Sequence, residues 1–122
     1  NVHNIRLVTP TTDKERLSKI SKSSKGFLYY VSIMGITGTK KPSISILKKS
    51  ILKIKKNTKL PVLVGFGINN ANQVKEINKF ANGCVIGSAI INLIEDSKKC
   101  NYSIEKTLLE IKLFLSKIKK GN

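Results

Sequence analysis

The sequence predicts an α/β fold built on a parallel sheet, in one domain that spans residues 1–122. Short apolar runs, typical of buried strands, alternate with longer amphipathic segments along the whole chain, which is the pattern of successive βα units. Two of the apolar runs end in glycine turns, at residues 65–68 and at Gly87-Ser88. No shift in composition marks a linker, so we expect a single continuous sheet.

The first βα unit begins with the apolar run at residues 5–8, which predicts a strand. Thr12-Asp13-Lys14-Glu15 fits a capping box, in which the Thr12 hydroxyl accepts from a backbone N–H of the first helical turn. Leu17 and Ile20 follow at helical spacing. We therefore expect a helix with one buried face after this strand.

The second and third strands are predicted at residues 27–32 and 60–64, where Pro61 marks the restart of extended chain. A long connection, residues 35–42, follows the second strand, and connections of that length in compact α/β units usually have a function. The helix between the two strands has apolar residues at helical spacing, which are Ile44, Leu47, Ile51 and Ile54.

The remaining segments complete a prediction of four strands and five helices. A helix carrying Val74 and Ile77 follows the first glycine turn, and residues 84–86 predict the last strand. Gly87-Ser88 then opens a short helix at residues 89–94, and a final helix covers residues 104–118. We expect the first and last strands to be unpaired edges of the sheet.

The two glycine turns together predict a phosphate site. Glycine lets the backbone approach an anion closely, and the free N–H groups at a helix N-terminus favour negative charge. In (β/α)8 barrels, phosphate often sits on the loops after the last two strands and at a short extra helix. One glycine turn alone is weak evidence, but two in consecutive βα units favour such a site.

The formal charge of +16 suggests nucleic acid as a partner, but its composition argues against that interpretation. Arginine contributes only Arg6 and Arg16 to the 23 basic residues, and the lysines spread over every predicted helix. Nucleic-acid readers favour arginine and interleaved aromatic residues. We therefore interpret the lysines as solvated helix faces.

No catalytic relay or metal site is predicted. His3 is the only histidine, and Cys84 and Cys100 lack partners at ligand spacing, which argues against a zinc site and against Ser-His or Cys-His catalysis. All seven carboxylates fall in predicted helices or their caps, whereas barrel enzymes hold catalytic groups at the strand ends. We therefore assign no catalytic residue to this segment.

Five motifs in a fixed order carry a family resemblance: residues 7–12, residues 26–32, Gly35-Ile36-Thr37-Gly38, residues 65–68 and residues 87–89. With them the chain resembles the C-terminal half of the tryptophan synthase alpha subunit family over essentially its full length. The resemblance implies the second half, strands five to eight, of a TIM (β/α)8 barrel. Residues 1–122 then form a partial barrel domain whose N-terminal half is absent.

The resemblance also implies a set of site residues. The phosphate-binding residues carried over are Gly38, Phe66, Gly67, Gly87 and Ser88. Tyr29 matches a tyrosine that faces the substrate and Val85 an apolar residue against its indole ring, although both also fit a structural role in the barrel interior. Gly35 and Thr37 match a mobile lid, where Thr37 would bond a catalytic aspartate. Ile33 stands where some relatives have arginine.

The implied reaction is retro-aldol cleavage of indole-3-glycerol phosphate, with the catalytic glutamate and aspartate in the missing N-terminal half. No metal or cofactor is implied for this subunit, and the implied partner is a pyridoxal-phosphate-dependent beta subunit in an alpha2-beta2 complex. The sequence has neither an initiator Met nor a signal or membrane-spanning stretch, so we expect an excerpt of a longer cytoplasmic protein.

Three alternatives stay open at this point. Another phosphate-binding barrel enzyme, such as a sugar-phosphate isomerase or epimerase, would share the glycine pair but not the lid motif at residues 35–38. A basic nucleic-acid-binding module is favoured only by the charge. A doubly wound sheet would normally have its phosphate turn after the first strand, where no glycine turn occurs.

Overall fold

The computed structural model describes residues 2–32, 44–65 and 67–119, in which four strands form one sheet. The strands are β1 (Arg6–Val8), β2 (Leu28–Val31), β3 (Val62–Gly65) and β4 (Gly83–Val85). They lie in chain order and each pairs in parallel with the next. The predicted parallel α/β fold is confirmed, and β1 and β4 are the edges of this described sheet.

Five helices occur in the described ranges, as predicted. They are α1 (Lys14–Ser23), α2 (Ile44–Lys55), α3 (Ala71–Asn78), α4 (Ser88–Lys99) and α5 (Ile104–Lys119). The helix after Gly87 is longer than the short segment that we expected, because it continues for 12 residues to Lys99. Within the same ranges, none of the helices combines the length and the apolar character that crossing a bilayer requires.

The N-terminus of α1 differs from the prediction by one residue. Asp13, not Thr12, is the N-cap, and its carboxylate accepts from the Arg16 N–H at 2.7 Å. The Thr12 hydroxyl instead accepts from the Thr9 N–H at 3.0 Å, within the turn that follows β1. The predicted capping box is therefore wrong, because the preceding turn already uses the hydroxyl group.

The core lies between one face of the sheet and the helices. Alternate strand residues are buried there, namely Val8, Leu28, Tyr30, Val62 and Val64, and they pack with Leu47, Ile51 and Ile77 of the helices. The intervening strand residues point to the other face, which we call the open face. Leu7 on the open face is 60% exposed, so this face has no comparable cover in the described chain.

Candidate functional site

The two glycine turns leave the sheet side by side. Gly65 and Val85 are paired across β3 and β4, and Gly67 and Gly87 each lie two residues beyond a member of that pair. Carboxyl ends of parallel strands meet at one edge of a sheet, where α/β proteins bind their ligands. The structure thus brings together the two turns that the sequence predicted as a phosphate site.

Both turns face open space. A Cβ atom built on Gly67 or on Gly87 would meet no atom of the protein within 4 Å. Gly67 has a φ of +55°, in the left-handed region that L side chains rarely adopt, so its backbone requires glycine. Gly87 has a φ of −121°, which other residues adopt, so at this position only the space in front of the turn favours glycine.

The N-terminus of α4 has free backbone donors. The Gly87 carbonyl accepts from the N–H groups of Ile90 and Ile91, at 2.9 Å and 3.1 Å, and no side chain of the described ranges caps the helix. The N–H groups of Ser88 and Ala89 have no acceptor in the part of the chain that the structure describes. A helix end of this kind presents free donors and the positive end of the helix dipole to an anion.

Tyr29 and Val85 lie on the open face, as their strand positions predict. The in-register neighbours of Tyr29 are Leu7 on β1 and Leu63 on β3, and Val85 pairs with Gly65. Both side chains are half-buried. The half-buried Leu63 shares this face but was not singled out from the sequence, although its period-two spacing within β3 is the signal that could have found it.

Gly65 is a further residue that sequence reasoning misplaced. We expected it in the turn, but it is the last residue of β3 and pairs with Val31 and Val85. A Cβ atom at this position would overlap the phenol oxygen of Tyr29 and lie 2.7 Å from its Cζ. Glycine in a strand often marks such a close approach, and this is the signal that could have identified the role of Gly65.

Several predicted site residues lie outside the described residues, and these are Ile33, Gly35, Thr37, Gly38 and Phe66. Their assignment to the lid and to the phosphate site therefore stays a prediction. The described part of the predicted site consists of Tyr29, Gly67, Val85 and Gly87-Ser88.

The acidic residues occupy the positions that the sequence predicted. Asp13 caps α1, and the other six carboxylates belong to helices, at Glu15, Glu76, Glu95, Asp96, Glu105 and Glu110. Among the residues of the described ranges, no group of three or more His, Cys, Asp or Glu side chains could hold a metal ion. These ranges therefore contain no carboxylate at a strand end that could act as acid or base.

The geometry defines a class of protein. A parallel sheet whose strands lie in chain order and alternate with helices is the arrangement of a βα barrel, in which ligands bind at the carboxyl ends of the strands. The chain belongs to the tryptophan synthase alpha chain family, whose model matches residues 1–120. The family consists of lyases of tryptophan biosynthesis.

Individual relatives agree with this assignment. The tryptophan synthase alpha chain of Erythrobacter litoralis is 43% identical over 90 residues, which are 74% of this chain and 35% of that protein. Subunit alpha from Legionella pneumophila str. Paris has a TM-score of 0.83 and 32% identity, over 98% of this chain and 42% of that chain. Subunit alpha from Campylobacter jejuni is 42% identical with a TM-score of 0.66, over 78% of this chain and 38% of that chain.

These comparisons confirm both the resemblance and the partial TIM-barrel fold. The chain spans at most about two fifths of the length of each of these relatives. A closed barrel of this class has eight strands, and the described residues supply four. The fold of the relatives therefore predicts that β1 and β4 are open edges in a chain that covers only part of the barrel.

Proposed function

We propose that this chain is the phosphate-binding part of a tryptophan synthase alpha chain that cleaves indole-3-glycerol phosphate to indole and glyceraldehyde 3-phosphate. The observation that carries the proposal is the pair of open turns at Gly67 and Gly87-Ser88, on adjacent strands at one edge of the sheet. A sugar-phosphate isomerase or epimerase would use a similar edge, but the family match favours the indole substrate.

The phosphate group is proposed to lie at the N-terminus of α4. Among the described residues the N–H groups of Ser88 and Ala89 find no acceptor, and the exposed Ser88 hydroxyl is a further donor. The aligned peptide dipoles of the 12-residue helix favour an anion at this end. Gly38 and Phe66 complete the proposed phosphate site by resemblance.

The rest of the substrate is proposed to lie over the open face of the sheet. Tyr29 and Val85 are half-buried on this face, next to the edge that carries the glycine turns. An indole ring is flat and apolar, so it fits against the Val85 side chain and the Tyr29 ring. Gly35 and Thr37 are proposed to form the lid that closes over it and excludes water.

The reaction is a retro-aldol cleavage. The indole C3 atom gains a proton, the hydroxyl on the adjacent glycerol carbon loses one, and the bond between these two carbons breaks. The hydroxyl carbon becomes the aldehyde of glyceraldehyde 3-phosphate, so atoms and protons balance. Both proton transfers are assigned to carboxylates outside this chain, while this chain anchors the phosphate and so orients the reacting bond.

The proposed setting follows from the family. The partner is a tryptophan synthase beta subunit in an alpha2-beta2 complex, and the beta subunit holds pyridoxal phosphate and receives the indole. We propose that this chain uses neither a cofactor nor a metal of its own, binds no nucleic acid specifically and acts in the cytoplasm.

The proposal is tested by following glyceraldehyde 3-phosphate release from indole-3-glycerol phosphate. We expect no release by the 122-residue chain alone. We expect release when it is co-expressed with the part of the Legionella pneumophila alpha subunit that it does not cover. The isolated chain could instead release product and lose this activity on Tyr29→Phe or Thr37→Ala. That result would show that the catalytic groups lie in this chain.

A further inference from the structure

A cavity of about 450 Å³ lies on the core face of the sheet, between α1 and α2. Its buried floor includes Val8 and Tyr30, which are paired in register across β1 and β2. One wall comes from the start of α1, with Lys14 and Leu17, and the other from the second half of α2. All of its lining residues belong to the described ranges, so elements of this chain form the cavity. We call it the α1–α2 cavity.

The α2 wall of this cavity is one stripe along the helix and the turn that follows it. The stripe consists of Ser50, Lys53, Ile54 and Asn57. Their spacing of i, i+3, i+4 and i+7 places them on the same side of a helix. Other sides of α2 pack against α3 and β3. The stripe is therefore the part of α2 that a molecule in the cavity would contact.

The hydroxyl group of Tyr30 has no partner in the described ranges. Tyr30 is only 2% exposed, yet its hydroxyl makes no hydrogen bond with any described residue. In the same ranges, the unpaired side-chain groups that are fully shut off from solvent are those of Ser21 and Ser32. The Tyr30 hydroxyl therefore keeps contact with the cavity that the residue lines. Buried tyrosine hydroxyls usually find a partner, and a molecule in the cavity would provide one.

The mouth of the cavity is positively charged. Lys14, Lys53 and Lys56 line it and are exposed. All seven acidic residues of the chain lie in the described ranges. The ion pairs of these ranges are Lys19–Glu15, Lys79–Glu76 and Lys99–Asp96. None of the three cavity lysines therefore has an acidic side chain within 4 Å, and together they favour an anion with more than one negative charge.

The rest of the lining suits an aromatic ring. Leu17 and Ile54 belong to the hydrophobic core, as does Val8 on the floor. Small-molecule sites typically combine an apolar lining with a few polar groups that fix orientation, in clefts of about 300–1,000 Å³. A flat ring between α1 and α2 would contact these apolar side chains. Its charged end would reach the lysines, and a polar group at its other end would reach the Tyr30 hydroxyl.

We propose that the α1–α2 cavity binds an aryl phosphate that carries a hydrogen-bond acceptor at the far end of its ring. The Tyr30 hydroxyl donates to this acceptor, and Lys14, Lys53 and Lys56 hold the phosphate group. The cavity lies on the opposite face of the sheet from Tyr29. The proposal therefore depends neither on the phosphate site at α4 nor on the cleavage reaction.

The test is an NMR titration of the full 122-residue chain with 4-nitrophenyl phosphate, whose nitro oxygens accept hydrogen bonds. Phenyl phosphate and inorganic phosphate are the comparison ligands. The backbone amides of Ser50 and Asn57 follow the cavity, and those of Ser88 and Ala89 follow the site at α4. At the cavity we expect 4-nitrophenyl phosphate to bind at least about tenfold more tightly than inorganic phosphate, because its ring is buried. We expect it to bind about threefold more tightly than phenyl phosphate, because of the Tyr30 hydrogen bond.

Two matched lysine variants test the charge at the mouth. Lys53→Gln is expected to weaken the binding of 4-nitrophenyl phosphate at the cavity by about threefold or more. Lys48→Gln should leave it unchanged, because Lys48 lies on the opposite side of α2 and outside the cavity lining. Circular dichroism checks that both variants keep their helices.

Tyr30→Phe tests the hydroxyl group alone, since it keeps the ring that packs in the core. It should abolish the preference for 4-nitrophenyl phosphate over phenyl phosphate. Any of four results would overturn the proposal: shifts confined to Ser88 and Ala89, equal effects of Lys53→Gln and Lys48→Gln, an affinity no greater than for inorganic phosphate, or a nitro preference retained in Tyr30→Phe. Binding at the cavity without binding at Ser88 and Ala89 would contradict the proposed phosphate site and leave the cavity site supported.

Discussion

The phenol ring of Tyr29 on β2 occupies the space beside Gly65 on β3 that any larger residue at position 65 would need. A Cβ atom at Gly65 would lie 2.7 Å from the Tyr29 Cζ and would overlap the phenol oxygen. Gly65 has no positive φ, so packing rather than backbone conformation makes glycine necessary. The orientation of Tyr29 over the open face therefore depends on a missing side chain in the neighbouring strand.

Gly65→Ala is expected to destabilise the chain by about 1–3 kcal/mol, which is the usual cost of overpacking a well-packed site. The added methyl group must displace the Tyr29 ring or separate β2 from β3, because the overlap involves ring atoms as well as the hydroxyl group. Urea unfolding followed by circular dichroism measures the change in the free energy of unfolding.

Tyr29→Leu provides the control for this contact. In the Gly65→Ala background it should recover most of the lost stability, because the shorter side chain leaves room for the methyl group. Gly67→Ala should cost about 1–2 kcal/mol for a different reason, the left-handed backbone, and Tyr29→Leu should not relieve it. If Tyr29→Leu had no effect in the Gly65→Ala background, the Tyr29 contact would not be the cause.

Gly87→Val is expected to weaken phosphate binding strongly while the chain stays folded. The φ of Gly87 is accessible to other residues, and a Cβ atom there meets no protein atom, so the side chain would project into the space proposed for the anion. Titration with inorganic phosphate, followed by NMR shifts of the Ser88 and Ala89 amides, measures the affinity. An affinity unchanged from the original chain would argue against an anion at this helix end.

The two cysteines should differ in thiol reactivity. Burial raises the pKa of the Cys84 thiol from 9.0 to about 11, and its Sγ donates to the Asn78 Oδ1 at 3.7 Å. Only about one part in a thousand of a thiol with this pKa is thiolate at about pH 8, and thiolate is the reactive form. Cys100 is exposed at the end of α4. We expect an aromatic disulfide reagent to modify Cys100 at least about tenfold faster than Cys84.

The Cys100→Ser variant allows the reaction of Cys84 to be followed alone. The reaction rate of Cys84 should keep rising with pH up to about 11. The same pKa shift makes folding pH-dependent. The unfolded thiol ionises near 9.0 and the folded thiol near 11, so the free energy of unfolding should fall as pH rises between these values. A Cys84 rate that levels off near pH 9 would contradict the shift.

Binding to nucleic acid is expected to be weak and without base preference. A chain with a formal charge of +16 releases counterions from any polyanion, so some association at low salt follows from charge alone. The affinity should fall about a thousandfold or more between about 50 and 200 mM salt. Fluorescence anisotropy with several labelled oligonucleotides of different sequence measures it. Sub-micromolar, sequence-selective binding at physiological salt would favour a recognition surface instead.

Apolar periodicity and glycine positions are local properties of the chain, so they were enough to predict the number, type and order of the elements in the described ranges. It also placed the glycine turns at consecutive strand ends, and parallel pairing then brings Gly67 and Gly87 together. Local patterns were less able to place element boundaries. Thr12 and Asp13 are both good N-caps, and the turn at Thr9 decides between them.

Contacts across strands and the exposure of whole faces depend on segments far apart in the chain, so they could be learned only from the folded structure. The need for glycine at position 65 depends on the Tyr29 ring, 36 positions earlier in the chain. The apolar spacing of Ile104, Leu108 and Leu115 predicts a buried helix face, yet these residues are exposed. Periodicity indicates that a face is to be buried but does not name its partner, because burial depends on every segment that packs there.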